Sequence, residues 1–500
     1  MYTNNRILLQ TNMFNLEKVE IMKKVFYKSL ILAFSATMLS ANVNAQFAGG
    51  TGTESDPYII QTAEQLNEVR NYLDGNNFRL DNDIDLTSYL AANSAENGWL
   101  PIGSDPEGIT GSFDGNGHVI SGFYINRPET SNVGLFGFIK SSGIFSVKKL
   151  GLIIADGKEV KGLDNVGGII GQVPYTGQTI KITECFVIGN ITAEGNGAVT
   201  GTATGTAGSI IAMTSALGRV ELLNCYAAGK VYGFCKAGGL VGQGYRGIKI
   251  ESSYSTCEVE AGTNKSQSKA GGLIGECGFP NGNAIRHDVI YSIALNPSVK
   301  APNSPDLHIG RLVGFEKPDN TGKYNYEASY AWADMLVNDA AVTDGQETNK
   351  NGLNQSSNDV IQETIYFGDN NNDYLFWDPA IWSMGNGKYQ LPILKAFAAD
   401  KQPDTKVAHL PERTSTGITM SSSEKLSVYP TLTKDKITIT NKADNAKVSI
   451  YDQVGKLVMT SFDSEISIAT LNSGIYLLNV QGTVVKIVKA VSYTHLTLPT

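Results

Sequence analysis

Five histidines, five cysteines and 48 acidic residues are the groups in this 500-residue chain from which chemistry could be built. A zinc hydrolase needs two histidines one helical turn apart with a glutamate beside the first, but His118, His287, His308, His409 and His495 are scattered and no HExxH occurs. Neither a GxSxG elbow nor a phosphate-cradling glycine loop with its lysine is present. Asp369, Asn371 and Asp373 alternate as calcium ligands do. Yet the sixth position of such a loop, which needs glycine, is Tyr374, and the twelfth, which needs a bidentate glutamate, is Ala380. They are the only candidate metal ligands, a solvated turn is the favoured reading, and no cofactor is expected. A polysaccharide hydrolase or lyase would need carboxylates, or a base with calcium, converging on one face. Asp83 and Asp85 read instead as strand-edge residues, Asp114 as part of an Asp-Gly-Asn-Gly turn, and residues 165–275 hold few acids. No catalytic residue is assigned. The cysteines (Cys185, Cys225, Cys235, Cys257, Cys277) are odd in number with no CxxC pair, so they read as small buried residues.

What must position any site is a chain with 41% hydrophobic, 18% charged residues and 53 glycines. That glycine share with ample aliphatic content predicts many tight turns between buried strands. Residues 22–45 read as a signal peptide: Met22, Lys23, Lys24 and Lys28 give the basic start, Leu30 to Leu39 the apolar run, and Val43-Asn-Ala45 the small-residue site, with cleavage between Ala45 and Gln46. Residues 1–21 read as a stretch upstream of the true start. The apolar run is too short to span a bilayer and no later segment is longer, so no transmembrane segment is expected. Removing residues 1–45 takes the formal charge from -8 to -11, which makes nucleic acid an unsuitable partner.

Self-comparison supplies the main organising signal. Asn132-Val-Gly-Leu-Phe-Gly137, Asn165-Val-Gly-Gly-Ile-Ile-Gly171, Ala237-Gly-Gly-Leu-Val-Gly242, Ala270-Gly-Gly-Leu-Ile-Gly275 and Ile309-Gly-Arg-Leu-Val-Gly314 are copies of one element, with a degenerate copy at Ala207-Gly-Ser-Ile-Ile-Ala212. Their last positions are 34, 41, 30, 33 and 39 residues apart, within the range of solenoid arrays. A second element follows in phase: Cys185-Phe-Val-Ile, Cys225-Tyr-Ala-Ala, Ser253-Tyr-Ser-Thr and Tyr291-Ser-Ile-Ala. These runs are too short for helices and rich in β-branched and aromatic residues, so each repeat carries at least two short strands. Stacked coils would pair each strand with its counterpart and bury a continuous interior, as a right-handed parallel β-helix does. The repeat glycines (Gly134, Gly137, Gly167, Gly168, Gly171, Gly238, Gly239, Gly242, Gly271, Gly272, Gly275, Gly310, Gly314) would sit at corners or where coils crowd. Cys185 and Cys225 share a phase, which predicts an inward cysteine ladder.

These copies resemble the GLUG repeat of bacterial surface proteins over roughly residues 47–398. Gly49 to Tyr58, Asp83-Ile-Asp-Leu86 and Phe113 to His118 look like the opening coils of such proteins. Thr62 and Gln65 have capping-box spacing, and Leu66, Val69, Tyr72 and Leu73 share a helical face, so a helix over residues 62–73 is expected at that end of a solenoid spanning 46–398. Residues 325–398, with Trp332, Trp377, Trp382, Tyr389, Leu391 and Leu394, are expected to close the other end.

The polar stretch 399–424 reads as a linker. Beyond it, Leu426 to Tyr429, Lys436 to Thr440, Lys447 to Tyr451, Lys456 to Met459, Ile466 to Ile468 and Ile475 to Val480 alternate as the strands of a small β-sandwich at 425–490. Leu426-Ser-Val-Tyr-Pro430, Val448 to Lys456, Leu471 to Leu477 and the basic end Lys486-Ile-Val-Lys489 resemble the C-terminal sorting domain of type IX secretion cargo. That resemblance implies export across the outer membrane and engagement of the type IX machinery, with release or attachment to surface polysaccharide. Residues 491–500 run past the usual end of the domain and read as a non-native tail. An all-β solenoid without recognisable catalytic groups suits a surface adhesin that binds glycans or host proteins; a secreted carbohydrate-active enzyme and a passive envelope component are the alternatives. The segments 176–184, 192–206 and 261–269 are the first candidates for its binding loops.

Overall fold

In a computed structural model, the protein is described over residues 47–489, apart from 142, 175–176, 198–202, 216–218, 263–267, 279–285, 303, 306–307, 319–321, 347, 369–374, 386–390, 403–408, 412–426, 430–431, 434, 441, 443–445, 454 and 481–482. Ala45, Gln46, Asp369, Asn371, Asp373 and Tyr389 lie outside the described residues.

The repeats fold because a strand of three or four residues gains partners only by stacking. One coil runs through Val166–Gly167 and Ile170–Val173 on a glycine flank, Ile180–Thr183 on a charged flank, Phe186–Ile188 on an aromatic flank and Asn190–Ala193 on a polar flank. The next coil repeats the path in parallel register: Ile170 opposes Ile211, Ile182 opposes Leu222, Phe186 opposes Tyr226 and Ile191 opposes Val231. Within Ile180–Thr183, Ile180 and Ile182 are buried while Lys181 and Thr183 face out, the two-residue period of a half-buried strand. The architecture is a parallel β-helix. Ile170, Ile211, Val241, Ile274 and Val313 form one column, so the two divergent copies at 207–212 and 309–314 are full members of the stack.

None of the repeat glycines adopts a left-handed backbone. Crowding between coils explains them instead: a Cβ on Gly239 would stand 1.9 Å from the Gly272 carbonyl oxygen, and one on Gly275 would stand 2.5 Å from that of Gly242. The left-handed corner falls on Lys149, Glu184, Asn224, Ser252, Tyr291 and Ala328, with φ from 44 to 56°. Directly after it, from Glu184 onward, comes a small hydrogen-bonding residue, whereas Lys149 is followed by Leu150. Cys185, Cys225, Ser253 and Ser292 each donate to the carbonyl two residues back, at 3.3, 3.4, 2.8 and 2.8 Å. The cysteine ladder thus continues as a serine ladder, and all five cysteines are free and buried.

At the amino-terminal end Thr62 Oγ1 accepts from Gln65 N, opening a helix at Ala63–Glu68 that passes into a 3-10 turn at Val69–Asn71. At the far end Arg311 stands where preceding copies have Gly168, Ser209, Gly239 and Gly272. Its buried guanidinium donates to the carbonyls of Asn351 (2.8 Å), Gly352 (2.8 Å) and Trp332 (3.3 Å), and burial pulls it down to about 10. Residues 344–346 and 348–352 lie over this coil in place of another glycine strand: Leu312 N and Val313 N both bond to Lys350 O. That change of neighbour leaves room for a side chain.

Residues 360–402 correct the expectation that they close this end. The described parts, 360–368, 375–385 and 391–402, lie along the outside of the aromatic flank, where Phe186, Tyr226 and Tyr254 stack with ring centroids 5.1 and 5.0 Å apart. Trp377 Nε1 donates to Tyr291 O, Trp382 Nε1 to Asn224 Oδ1, Phe397 packs on Phe186, and Lys401 reaches Asp83 at 2.8 Å. A column of large rings on the outer surface of the solenoid would be an exposed apolar stripe, and this strap buries it. The expected linker boundary at 399 is corrected for the same reason. Gln402 is 5% exposed and bonds through Oε1 and Nε2 to Leu394 N, Leu394 O and the Tyr226 hydroxyl, and His409 Nε2 meets Leu295 O at 2.8 Å.

The tail is a separate unit with its own core of Val428, Ile437, Ile439, Val448, Ile450, Ile466, Ile468, Tyr476, Leu478, Val480 and Ile487. Ser427–Tyr429, Lys436–Thr440 and Glu465–Ser467 form one sheet. Leu432–Thr433, Thr483–Lys489, Gly474–Val480, Val448–Asp452 and Leu457–Ser461 form the other, so the basic end is itself a strand.

Candidate binding surface

The carboxylates weighed in the sequence hold local structure. Asp83 accepts from Val119 N (3.0 Å) and meets His118 Nδ1 (3.1 Å); Asp85 accepts from Thr87 N (2.8 Å); Asp114 accepts from Asn116 N (2.8 Å) and pairs with Lys148 (3.1 Å). They do not converge on one groove. Among the described residues no three His, Cys, Asp or Glu side chains are placed to hold a metal ion.

The charged flank is the longest continuous outer surface. Eight strands, Asn76–Leu80, Gly111–Phe123, Phe145–Ile154, Ile180–Thr183, Val220–Leu223, Ile248–Glu251, His287–Ile290 and Tyr324–Glu327, follow one another in parallel. Neighbouring coils lie about 4.8 Å apart, so equivalent side chains line up as columns. One column is Lys181, Glu221, Lys249, Asp288 and Asn325. Glu221 pairs with Lys181 at 3.6 Å and Glu251 with Lys249. The densest point is Asp288, whose carboxylate is 5% exposed. It receives Arg286 Nε at 2.7 Å, Asn325 Nδ2 at 2.9 Å and the Arg219 guanidinium from two coils away. Between Arg219 and Arg286 the equivalent position is Gly247, whose missing side chain leaves the path open. Sequence reading missed this cluster because its members span more than a hundred residues and meet only once the coil register is known. The acids it judged few in residues 165–275 are Glu184, Glu194, Glu221, Glu251, Glu258 and Glu260, and they are spread around the outside of the stack.

No carboxyl group with a resolved shift is raised. Lys140 holds the Asp74 carboxyl below its ordinary value, and Thr87 does the same for Asp85. Burial would raise Glu276, but Lys236 and Lys269 beside it, at 3.3 and 3.1 Å, outweigh burial and keep it low. A glycosidic general acid must hold its proton near neutral pH, which needs the opposite shift.

His287 faces inward in the column of Ile180, Val220 and Ile248, with no hydrogen-bond partner on either ring nitrogen. Burial, then the nearby Arg219 charge, lower it to about 3. The unfolded chain therefore binds a proton that the folded chain refuses between about pH 6.5 and 3, and stability must fall as pH drops through that window. At pH 5 the loss is about 2 kcal/mol from this group. The expected result is that His287→Phe flattens this part of a melting-temperature profile against pH; a profile unchanged by the substitution would remove the assignment.

The three proposed loop segments shrink. Residues 180–183 are a strand, and Asn190–Ala193, Thr206–Gly208, Glu258–Ala261 and Lys269–Gly271 bound the other two; residues 176, 198–202 and 263–267 lie outside the described residues. A shallow groove of about 440 Å3 near the amino-terminal helix is lined by Tyr72, Asp74, Asn76, Glu107 and Lys140 among others. Asp74 and Lys140 close on each other across it at 3.1 Å.

Comparison with known proteins gives partial matches. A curated protein of Evansella cellulosilytica, provisionally named a glycine-rich membrane protein, is 48% identical over 99 residues, covering 20% of this chain and 11% of that one. Halomucin of Haloquadratum walsbyi is 31% identical over 140 residues, covering 27% and 2%. The chain thus matches only a small part of the length of these relatives. A solved structure from Bacteroides ovatus, provisionally described as an immunoglobulin A1 protease, superposes with a TM-score of 0.50 at 24% identity over 70% of this chain and 96% of that one; this likeness is one of fold. Among the described residues no helix is long and apolar enough to cross a membrane. Residues 427–492 match the secretion system C-terminal sorting domain, which marks this chain as type IX cargo, handed to that machinery and exported to the cell surface or the extracellular space.

Proposed function

We propose that the exported chain is a noncatalytic binding solenoid of the GLUG type, an adhesin whose stacked flanks hold an extended glycan or host-protein segment. In this reading residues 22–45 are a signal peptide cleaved between Ala45 and Gln46, residues 46–411 form the binding body, and residues 427–492 are the sorting domain. The observation that carries it is the charged flank: eight strands of outward side chains in register, with Glu221, Glu251 and Asp288 each paired to a cation. Such a surface offers many repeated weak contacts along a polymer. Those three carboxylates are each held by a cation, which does not suit them to act as the acid and base of bond cleavage.

The test is to pass the purified full chain over immobilised polysaccharides and host glycoproteins while assaying released reducing sugar. Saturable retention without product is the expected result. Product that disappears with a carboxylate substitution would replace binding by catalysis, and neither signal would leave a passive envelope component.

A further inference from the structure

We infer that the Arg219, Asp288 and Arg286 cluster is an anion-binding point on the charged flank, and that its ligand is an acidic polysaccharide bearing carboxylate or sulfate groups. This rests on the reading of the chain as a binding solenoid and names the flank and the polymer class.

Two guanidiniums share one carboxylate, so these three side chains carry a net positive charge, offset in part at Arg219 by Glu221 and Glu251, while the more exposed Arg286 projects from a chain whose formal charge is -8. Asp288 is nearly buried, and its oxygens are already taken by Arg219, Arg286 and Asn325. Its role is to anchor the two cations. It holds Arg286 through Nε, which leaves the Nη edge of that guanidinium for another acceptor, and the Arg286 side chain is 56% exposed. A guanidinium edge fits a carboxylate or sulfate through two parallel hydrogen bonds, a geometry that lysine lacks. Lys323, exposed, precedes the next strand at the position equivalent to Arg286, and Arg219 stands at the same position two coils earlier. Basic groups therefore recur along the stack axis at multiples of about 4.8 Å. A polymer with an anion on successive sugars can meet them one after another.

Nucleic acid fits less well. The outward positions of these strands from Lys181 to Glu251 carry Lys, Thr, Glu and Leu with no aromatic ring on which a base could stack, and single-stranded nucleic acids depend on such platforms.

The experiment measures binding of the full chain to polygalacturonate, heparin, neutral dextran, host glycoprotein and single-stranded DNA across a salt series, with R286S beside K230S. Lys230 is an exposed lysine on the polar flank, paired to Glu258, and serves as the charge control. Arg286 is exposed and Asp288 keeps Arg219 and Asn325 without it, so R286S folds, which an unchanged melting curve verifies. The expected result is salt-sensitive binding to polygalacturonate, heparin or both, weakened about 10-fold by R286S and unchanged by K230S. Tighter binding to polygalacturonate identifies the anion as carboxylate, and tighter binding to heparin, which carries both groups, that persists against a carboxylate-only competitor identifies sulfate. Equal binding by R286S and the parent overturns the site, and DNA binding with the same Arg286 dependence overturns the polysaccharide. Retention only on dextran or glycoprotein overturns this inference while leaving the binding solenoid standing; retention on none of them ends both.

Discussion

Gly239→Val will leave the solenoid without a normal cooperative melt, with a loss of about 4 kcal/mol or more. Valine's Cβ would fall 1.9 Å from the Gly272 carbonyl oxygen and 2.3 Å from Ser255 Oγ. The first obstacle is backbone, held in the next coil by Gly239 N bonding to Gly271 O and by the strand pairing of Ala237 with Ala270. It cannot step aside without breaking the parallel register on that flank, and interiors packed like organic crystals absorb little such strain. Gly177→Ala is the matched control, since a Cβ there meets nothing within 4 Å. Circular dichroism melts of the two variants beside the parent check the idea. A Gly239→Val melt that overlies the parent would mean the coils can part at this point and that crowding is not why glycine recurs.

Trp382→Ala should cost about 3–5 kcal/mol, the usual range for removing a large buried ring. Trp382 is fully buried between the strap and the aromatic flank, 4.6 Å from Trp377 and about 6 Å from Tyr226 and Tyr254 by ring centroid. Its indole N–H is bonded to Asn224 Oδ1 at 2.9 Å, so truncation also strands a polar atom. The predicted signature is a lower denaturation midpoint together with faster proteolysis within residues 360–411, because the strap loses its anchor while the stacked strands keep their own pairing. Trp382→Phe should restore most of the packing and lose only about 1–2 kcal/mol through the missing donor. If Trp382→Ala destabilised the protein without altering proteolysis of the strap, the strap would be held elsewhere.

The sequence alone determined the repeating unit, because crowding between coils demands glycine at equivalent points of successive coils and leaves a pattern readable without coordinates. The position of Ala212 in that pattern, and of Leu312 and Val313 beside Arg311, follows from the same spacing. It also determined the sorting domain, whose short strands and turns are local patterns, and the helix start at Thr62, a local hydrogen bond between residues three apart. Only the tertiary structure decided where Trp377 and Trp382 go. Their hydrophobicity says that they must be buried, but an end and a flank of the solenoid satisfy that requirement equally well in sequence. The aromatic column that chose the flank exists only after Phe186, Tyr226 and Tyr254 are brought into register. The same holds for Gln402, whose polar neighbourhood looked like linker until its amide found Leu394 and Tyr226. Asp288 with Arg219 and Arg286 is the clearest case: charge clusters on a solenoid are built across coils, so their distance along the chain carries no sign of their contact in space.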